Sequence, residues 1–379
     1  MNFNLTDEQN IIIETVRTFL ENEIYPHEKK VDETGVVPKE LGKEIAQKCK
    51  EIGFFSSNMP ESVGGGGLNH LDFTLLEREL GRGSNALTVF FGRPSGILMA
   101  CNEEQKEKYL YPAVKGDKFD ALAMTEPGAG SDVRGMECSA VQKGGDWIVN
   151  GTKHFISHAN IADFVIVFIA TGEEQTNKGS KRKISCFVVD RGTPGFEITP
   201  GYKSVSHRGY QNCILRFDDC RLSKHQILGE LHKGFDIANE WLYSTRLTVA
   251  ATSVGRARRA FELTLPYTVD RHQFGKSIGK FQGVSFQLAD MITEIDAADC
   301  QDTDAQCQNL TLTFFKGGFE VAQEQFLSVA TNGATASVDW EIPINENMTR
   351  FNKSEEPQIQ VQFSHPGTND PISGCLFFY

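Results

Sequence analysis

The chain has 379 residues, of which 40% are hydrophobic and 23% are charged, and its formal net charge is −12 at pH 7. This length and composition predict a globular protein with two or three structural units around a sizeable core. The sequence pI near 5.3 argues against nucleic acid as a partner, because nucleic-acid-binding domains carry a basic stripe.

The nine cysteines show no C-x-x-C spacing, which predicts free thiols in a reducing compartment and no metal site. The chain also lacks a basic and apolar leader and any apolar run as long as a membrane span. We therefore expect a cytoplasmic protein without a membrane span.

The first third of the chain has helical periodicity. Thr6 and Gln9 form a capping-box pattern in front of apolar residues at helical spacing. The predicted helices run from Thr6 to a stop at Pro26, from about Pro38 to Gly53, from Leu71 to Leu80 and from Glu103 to Leu110. This pattern predicts an N-terminal helical domain over residues 1–120.

The middle of the chain has the pattern of strands. Asn150-Gly151 favours a type I′ hairpin turn, and the apolar run from Phe164 to Ala170 fits a buried strand. Further short strands are predicted at Ile184 to Val189, Phe196 to Ile198 and Cys213 to Phe217. We expect a small antiparallel β middle domain over residues 121–226.

Helical spacing returns near Gly234 and continues in a second helix from Phe281 to about Ala298. Residues 227–299 therefore predict the start of a C-terminal helical bundle. Residues 300–379 contain helix-averse stretches around a β-rich segment at Thr311 to Phe315, so this tail is predicted to be irregular and is assigned to no domain. The predicted fold class is α+β.

The stretch from Ala121 to Asp132 turns from a short apolar segment into a cluster of Pro, Gly, Ser and Asp. Gly128 and Gly130 allow positive φ and close approach of the backbone to a ligand. The pattern is neither a Walker A loop nor GxGxxG. By composition it fits an ordinary strand-to-turn corner as well as a ligand-binding loop.

The run Met124-Thr-Glu-Pro-Gly-Ala-Gly-Ser-Asp132 resembles the signature of the acyl-CoA dehydrogenase family of flavoproteins. Local matches extend from Leu5-Thr-Asp-Glu-Gln9 through Asn150-Gly-Thr-Lys-His-Phe-Ile-Ser157 and Phe217-Asp-Asp-Cys-Arg221 to about Asp299. The resemblance implies FAD as cofactor and oxidation of an acyl-CoA thioester to the 2,3-enoyl-CoA. It also implies electron-transfer flavoprotein or a similar acceptor, and a homo-oligomer if the C-terminal helices were complete.

The resemblance also assigns cofactor contacts to residues of the middle domain. Leu122, Met124 and Thr125 would meet the flavin ring system, and Ser131 would lie where FAD and the CoA chain come together. Phe155, Ile156 and Ser157 correspond to the segment that flanks the isoalloxazine.

Further contacts are assigned to the helical region by the same resemblance. Arg271 and Phe274 lie in a loop that contacts the pyrophosphate of the neighbouring subunit's FAD, where an Arg fork suits a phosphate. Gln282 is a weaker candidate for the same nucleotide. Tyr243 and Arg246 match a substrate-contacting helix, although Arg246 also suits a bridge between two helices.

The catalytic residue stays unassigned. The family's Glu-Gly-Thr segment is absent after Asp299, and Thr245 stands where some branches of the family place Glu. Glu240 projects from a different face of the helix. We therefore expect impaired turnover, with a non-catalytic acyl-CoA/FAD-binding protein or an enoyl-CoA reductase of the same family as alternatives. The tail is explained either by a frame error, gene-model error or fusion, or by a genuine variant.

Overall fold

The computed structural model describes residues 5–176, 179–299, 309–316, 319–326, 358–364 and 371–376. The chain divides into two compact units. One unit is Asp7–Gly279, and the other includes Lys280–Tyr379.

The first part of Asp7–Gly279 is helical, as the sequence predicts. Its helices are α1 (Asp7–Phe19), α2 (Tyr25–Thr34), α3 (Lys39–Glu51), α4 (His70–Leu80), α5 (Asn85–Thr88), α6 (Glu103–Gln105) and α7 (Tyr111–Lys115). The apolar positions that give the helical period are the buried ones, among them Val16, Leu20, Leu76 and Leu80. Their burial against one another supplies the core of this domain.

Pro26 does not end the first helix, so this detail of the prediction is wrong. A π-helical turn, Leu20–Ile24, continues α1 directly into α2. Pro26 then lies in the first turn of α2. Proline interrupts the regular i→i−4 hydrogen bonds of a helix, and the π turn just before Pro26 is where that pattern is already interrupted.

The middle of the unit is a sheet. Its strands are β1 (Asp120–Ala123), β2 (Ser139–Lys143), β3 (Asp146–Ser157), β4 (Phe164–Thr176), β5 (Gly179–Asp190), β6 (Phe196–Pro200), β7 (Asn212–Leu222) and β8 (Ile227–Leu228). The order is β6-β7-β3-β2-β4-β5-β8, and β1 pairs with β4. Most pairings are antiparallel, but β1 and β2 each run parallel to β4, which the sequence did not predict.

The hairpin turn lies at Gly144-Gly145 rather than at Asn150-Gly151. Lys143 pairs with Asp146, and both intervening glycines have positive φ. Asn150 and Gly151 instead lie inside β3, where the register with β7 shifts. Two glycines meet the φ requirement of a type I′ turn without strain, so they outcompete the Asn-Gly pair.

The unit closes with one long helix, α8 (Gly234–Asp270), and a hairpin of β9 (His272–Gln273) and β10 (Lys276–Ser277). In the part of the chain that the structure describes, no helix has the length and apolar character needed to cross a membrane.

The second unit contains α9 (Gln282–Asp299) and four strands. They are β11 (Asn309–Lys316), β12 (Phe319–Phe326), β13 (Gln358–Ser364) and β14 (Pro371–Leu376), in the order β12-β11-β13-β14. The β-rich segment at Thr311 to Phe315 therefore lies in a strand. The described part of the tail is a sheet, where the sequence predicts irregular structure.

The crossing of α4 and α8 depends on glycine. A Cβ at Gly255 would overlap the carbonyl oxygen of Arg78, and a Cβ at Gly81 would overlap that of Thr252. The two helix backbones therefore touch at this crossing.

We expect Gly255→Ala to lower the free energy of unfolding by about 1–3 kcal/mol, because the added methyl group forces the helices apart. Gly283→Ala in α9 is the matched control, since a Cβ there would meet nothing within 4 Å. Urea unfolding followed by circular dichroism measures both. Equal stability of the two variants would show that the close crossing contributes nothing.

Candidate functional site

The loop after β1 is anchored by a buried ion pair. Lys153 of β3 is fully buried, and its Nζ donates to Glu126 Oε1 at 2.6 Å and to the carbonyl oxygen of Met124 at 3.0 Å. The Glu126 carboxylate also accepts the backbone N–H groups of Glu137 and Cys138, at 2.6 Å and 3.1 Å. One carboxylate therefore ties the loop to β3 and to the segment that leads into β2.

The loop reverses direction at Pro127-Gly128. The backbone of Glu126 and Ala129 exchanges two hydrogen bonds, of 2.9 and 3.2 Å, across this turn. Neither Gly128 nor Gly130 has positive φ, so the loop does not use the left-handed backbone that these glycines allow. A Cβ on either glycine would meet no atom within 4 Å, so the backbone of the loop is accessible on this side.

A cleft of about 560 Å³ lies within the unit Asp7–Gly279, between the helices, the start of the sheet and α8. Its volume is within the usual range for a small-molecule site. Residues that line it include Asn58, Glu77, Arg93, Ser95, Asp120, Leu122, Ser157, His158, Trp241, Ser244, Thr245 and Thr248.

Two of the sequence-predicted cofactor residues, Leu122 and Ser157, line this cleft. Leu122 is on β1 and Ser157 is the last residue of β3. The remaining candidates of the middle domain, which are Met124, Thr125, Ser131, Phe155 and the buried Ile156, lie outside the lining.

The polar groups of these segments are open to a ligand. Within the described residues, the hydroxyls of Thr125, Ser131 and Ser157 make no hydrogen bond. Phe155 is 49% exposed and has φ of 57°, an unusual backbone for a residue with a side chain. Strained, exposed residues of this kind occur at functional sites.

The face of α8 that lines the cleft carries Trp241, Ser244, Thr245 and Thr248. Thr245 Oγ1 donates to the carbonyl oxygen of Trp241 at 3.1 Å. Tyr243 and Arg246 project from the exposed side of the same helix, with the Arg246 guanidinium 5.7 Å from the Tyr243 ring centroid. The structure thus brings Thr245 to the cleft and leaves the predicted substrate pair outside its lining.

Arg271 and Phe274 belong to the hairpin that follows α8. Phe274 and Gly275 are the two central residues of its turn, both with positive φ, and Phe274 is 92% exposed. The Arg271 side chain makes no ion pair with another described residue. Eighteen residues of helix separate Thr252 from Asp270, about 27 Å of length, so α8 carries Arg271 well away from the cleft.

Gln282, the weaker nucleotide candidate, is the first residue of α9 and is exposed.

The cleft also contains charged residues that the sequence did not single out. Arg93 donates to both carboxylate oxygens of Glu77, at 2.8 and 2.6 Å. Burial raises the pKa of Asp120 to about 6. Burial and the nearby Arg93 charge lower the pKa of His158 to about 4, so its imidazole is neutral at pH 7. In the sequence, Asp120 is marked only by its position directly before the apolar run at 121–123.

Three profiles of one family match the chain. The acyl-CoA dehydrogenase N-terminal domain matches residues 6–117, the middle domain matches 121–220, and the C-terminal domain matches 232–303. The chain belongs to the acyl-CoA dehydrogenase family. It is therefore a member of a family of oxidoreductases, as the resemblance in its sequence predicts.

Relatives within the family include dehydrogenases and reductases. The chain is 36% identical over 307 residues to the probable acyl-CoA dehydrogenase YngJ of Bacillus subtilis, covering 79% of this chain and 78% of the relative. It is 36% identical over 298 residues to the 3-(aryl)acrylate reductase of Clostridium sporogenes, covering 77% of each. A solved glutaryl-CoA dehydrogenase of Mycobacterium smegmatis, in complex with FADH2, matches with a TM-score of 0.68 and 29% identity over 78% of this chain and 74% of that one.

The residues present fit a flavin cofactor. Open space over Gly128 and Gly130 leaves room for a ligand against the loop. The hydroxyls of Thr125, Ser131 and Ser157 supply donors and acceptors without a competing partner in the described residues. His154, beside Phe155, has a buried Nδ1 without a hydrogen-bond partner among those residues.

We expect Lys153→Met to lower the free energy of unfolding by about 3–5 kcal/mol, because it leaves the Glu126 carboxylate buried and unpaired. Lys108→Met is the matched control, since both side chains of the Lys108–Asp190 pair are accessible to solvent and its loss costs about 1 kcal/mol or less. Denaturant unfolding measures both. Similar values for the two variants would contradict an anchoring role for Lys153.

The raised pKa of Asp120 predicts a pH-dependent stability. The folded-state pKa of about 6 lies above the value of about 3.9 in an unfolded chain. Folding therefore favours the protonated carboxyl, and stability falls as pH rises through this window. We expect Asp120→Asn to stabilise the protein by roughly 1–3 kcal/mol at pH 8 and by less at pH 4.5.

Urea unfolding at both pH values measures this difference. Asp117→Asn, at an exposed position on the same segment, is the control for the substitution itself. An effect of Asp120→Asn that does not depend on pH would contradict the buried, protonatable carboxyl.

Proposed function

We propose that the chain binds FAD and an acyl-CoA thioester at the cleft, and that its reaction class is oxidation of the thioester to the 2,3-enoyl-CoA. The observation that carries this proposal is that Leu122 and Ser157 of the sheet and Thr245 of α8 line one cleft. The family resemblance links the first two to the flavin and the third to the substrate helix. When bound, FAD supplies the acceptor for hydride.

The protein residues have separate tasks in this scheme. The segment from Leu122 to Ser131 and the segment from Phe155 to Ser157 hold the flavin, and Tyr243 and Arg246 contact the substrate's CoA portion. Arg271 binds the nucleotide's pyrophosphate from the loop that it shares with Phe274, and Gln282 is a weaker candidate for the same nucleotide. Because α8 carries Arg271 away from its own cleft, we propose that it serves the site of a second copy in a homo-oligomer.

We further propose that turnover is impaired. A base must reach the proton on the carbon next to the thioester carbonyl, and such a base contributes typically 10²–10⁴-fold to the rate. Thr245 offers a hydroxyl, already bonded to Trp241, where some branches of the family have a carboxylate. Glu77 is occupied by its ion pair with Arg93.

A reductase of the same family is the second candidate, supported by the 36% identity to the 3-(aryl)acrylate reductase. Its test is oxidation of the chemically reduced flavoprotein by an enoyl-CoA.

The third candidate is a protein that binds acyl-CoA and FAD without turnover. Six cysteines of the unit Asp7–Gly279 are free and buried, which supports a reducing, cytoplasmic location. Electron-transfer flavoprotein or a similar protein is the proposed acceptor, and fatty acid metabolism the proposed context.

The experiment is an anaerobic titration of the purified flavoprotein with acyl-CoA, followed by flavin absorbance. We expect a shifted flavin spectrum that bleaches slowly in the unmodified protein. Thr245→Glu places a carboxylate in the cleft and should speed bleaching at least about tenfold. Thr248→Glu, one turn along the same lining face, is the control and should not.

Three outcomes would contradict parts of this scheme. Fast bleaching by the unmodified protein would contradict the impairment. Equal rates for Thr245→Glu and Thr248→Glu would contradict the role of position 245. A protein that neither retains nor rebinds FAD would contradict the flavin assignment.

A further inference from the structure

One wall of the cleft is polar, and its residues hold a single loop. We define the polar wall as Asn58, Glu77, Arg93, Ser95 and Asp120, all of which line the cleft. Arg93 donates to both oxygens of Glu77 and, through Nη2, to the carbonyl oxygen of Thr88 at 3.2 Å. The Glu77 side chain is fully buried, so this pair neutralises itself within the wall.

The next two residues of the loop are held from two further segments. Asn58 Nδ2 donates to the carbonyl oxygen of Pro94 at 2.8 Å. The backbone N–H of Ser95 donates to Asp120 Oδ1 at 3.4 Å. Three consecutive loop residues are thus fixed by side chains from α4, from the segment before the glycine run and from β1.

Two acceptors of the polar wall, on Asn58 and Asp120, have few or no donors among the described residues. Asn58 Oδ1 is buried and has no hydrogen-bond partner among the described residues. Asp120 forms no ion pair within that part of the chain, and its contact to Ser95 is long. Lys118, the other cation of the lining, donates instead to the carbonyl oxygen of Lys108. A buried acceptor without a donor is unfavourable, so a ligand that brings a donor gains affinity.

We propose that the acyl group bound in this cleft carries a hydroxyl group, which donates a hydrogen bond to Asp120. This inference rests on the proposed acyl-CoA site and adds the chemical class of the acyl group. A plain alkyl or aryl group would leave the Asp120 carboxyl facing apolar atoms. An acyl group that ends in a carboxylate would meet like charge at Asp120, while Arg93 is already neutralised by Glu77.

The test measures Kd for matched thioesters with the FAD-loaded full-length protein, from the shift in flavin absorbance and from calorimetry. The ligands are hexanoyl-CoA with its ω-hydroxy and ω-carboxy derivatives, and phenylpropanoyl-CoA with its para-hydroxyphenyl derivative. We expect at least one hydroxylated ligand to bind about tenfold more tightly than its unsubstituted partner, and the carboxylate to bind more weakly than both.

Asp120→Leu should reduce the hydroxyl preference to within about twofold, because it removes the acceptor and keeps the same branching and number of side-chain heavy atoms. Asp117→Leu, an exposed neighbour outside the lining, should leave the preference unchanged. Asp120→Asn keeps one acceptor oxygen and should retain part of the hydroxyl preference. This variant serves as the test if Asp120→Leu does not fold.

The outcomes separate this inference from the function it rests on. Equal binding within each pair overturns the hydroxyl inference and leaves the acyl-CoA site standing. Tightest binding of the ω-carboxy derivative also overturns the hydroxyl inference, in favour of anion recognition by Arg93. An Asp120→Leu variant that slows flavin bleaching by every thioester but keeps the hydroxyl preference overturns it as well. Absence of binding for every thioester overturns the proposed function itself.

Discussion

The buried ion pair between Lys153 and Glu126 is the contact on which the site depends. Both side chains are almost completely excluded from solvent, so each charge would be costly alone. Their hydrogen bonds to Met124, Glu137 and Cys138 satisfy the groups that burial removes from water. Because these partners come from β3, from the loop after β1 and from the segment before β2, the loop cannot move without exposing a charge.

This anchoring leaves the opposite side of the loop free for a ligand. The Glu126 carboxylate and the Lys153 ammonium group bind each other and nearby backbone groups on the inner side of the loop. Gly128 and Gly130 face open space, and the Thr125 and Ser131 hydroxyls have no partner in the described residues. The glycines serve here through the absence of a side chain rather than through left-handed backbone. A rigid support with an uncommitted surface binds a ligand with little loss of conformational entropy.

The sequence predicted those parts of the structure that depend on local pattern. The helical period of the first third, the apolar strands and the turn after β1 all depend on neighbours within a few residues. The predictions of a helix end at Pro26 and of a hairpin turn at Asn150-Gly151 are wrong because both sequence features also occur elsewhere. Pro26 lies in the first turn of α2. Asn150-Gly151 lies inside a strand where the register shifts. Arg93, Asn58 and Asp120 could not be grouped in advance, because their contacts join segments separated by 16 to 36 residues.

The cleft and its supports lie within the unit Asp7–Gly279, and the proposed function makes ligand binding and proton abstraction separable properties. The loop anchor, the cleft-lining face of α8 and the polar wall are all present there. What that unit lacks is a carboxylate at Thr245, and a base lowers the barrier without being needed for ground-state affinity. In the proposed scheme, such a chain retains recognition of its ligand when its turnover is slow. Affinity for matched thioesters therefore reports on the cleft itself, independently of the rate at which the flavin is reduced.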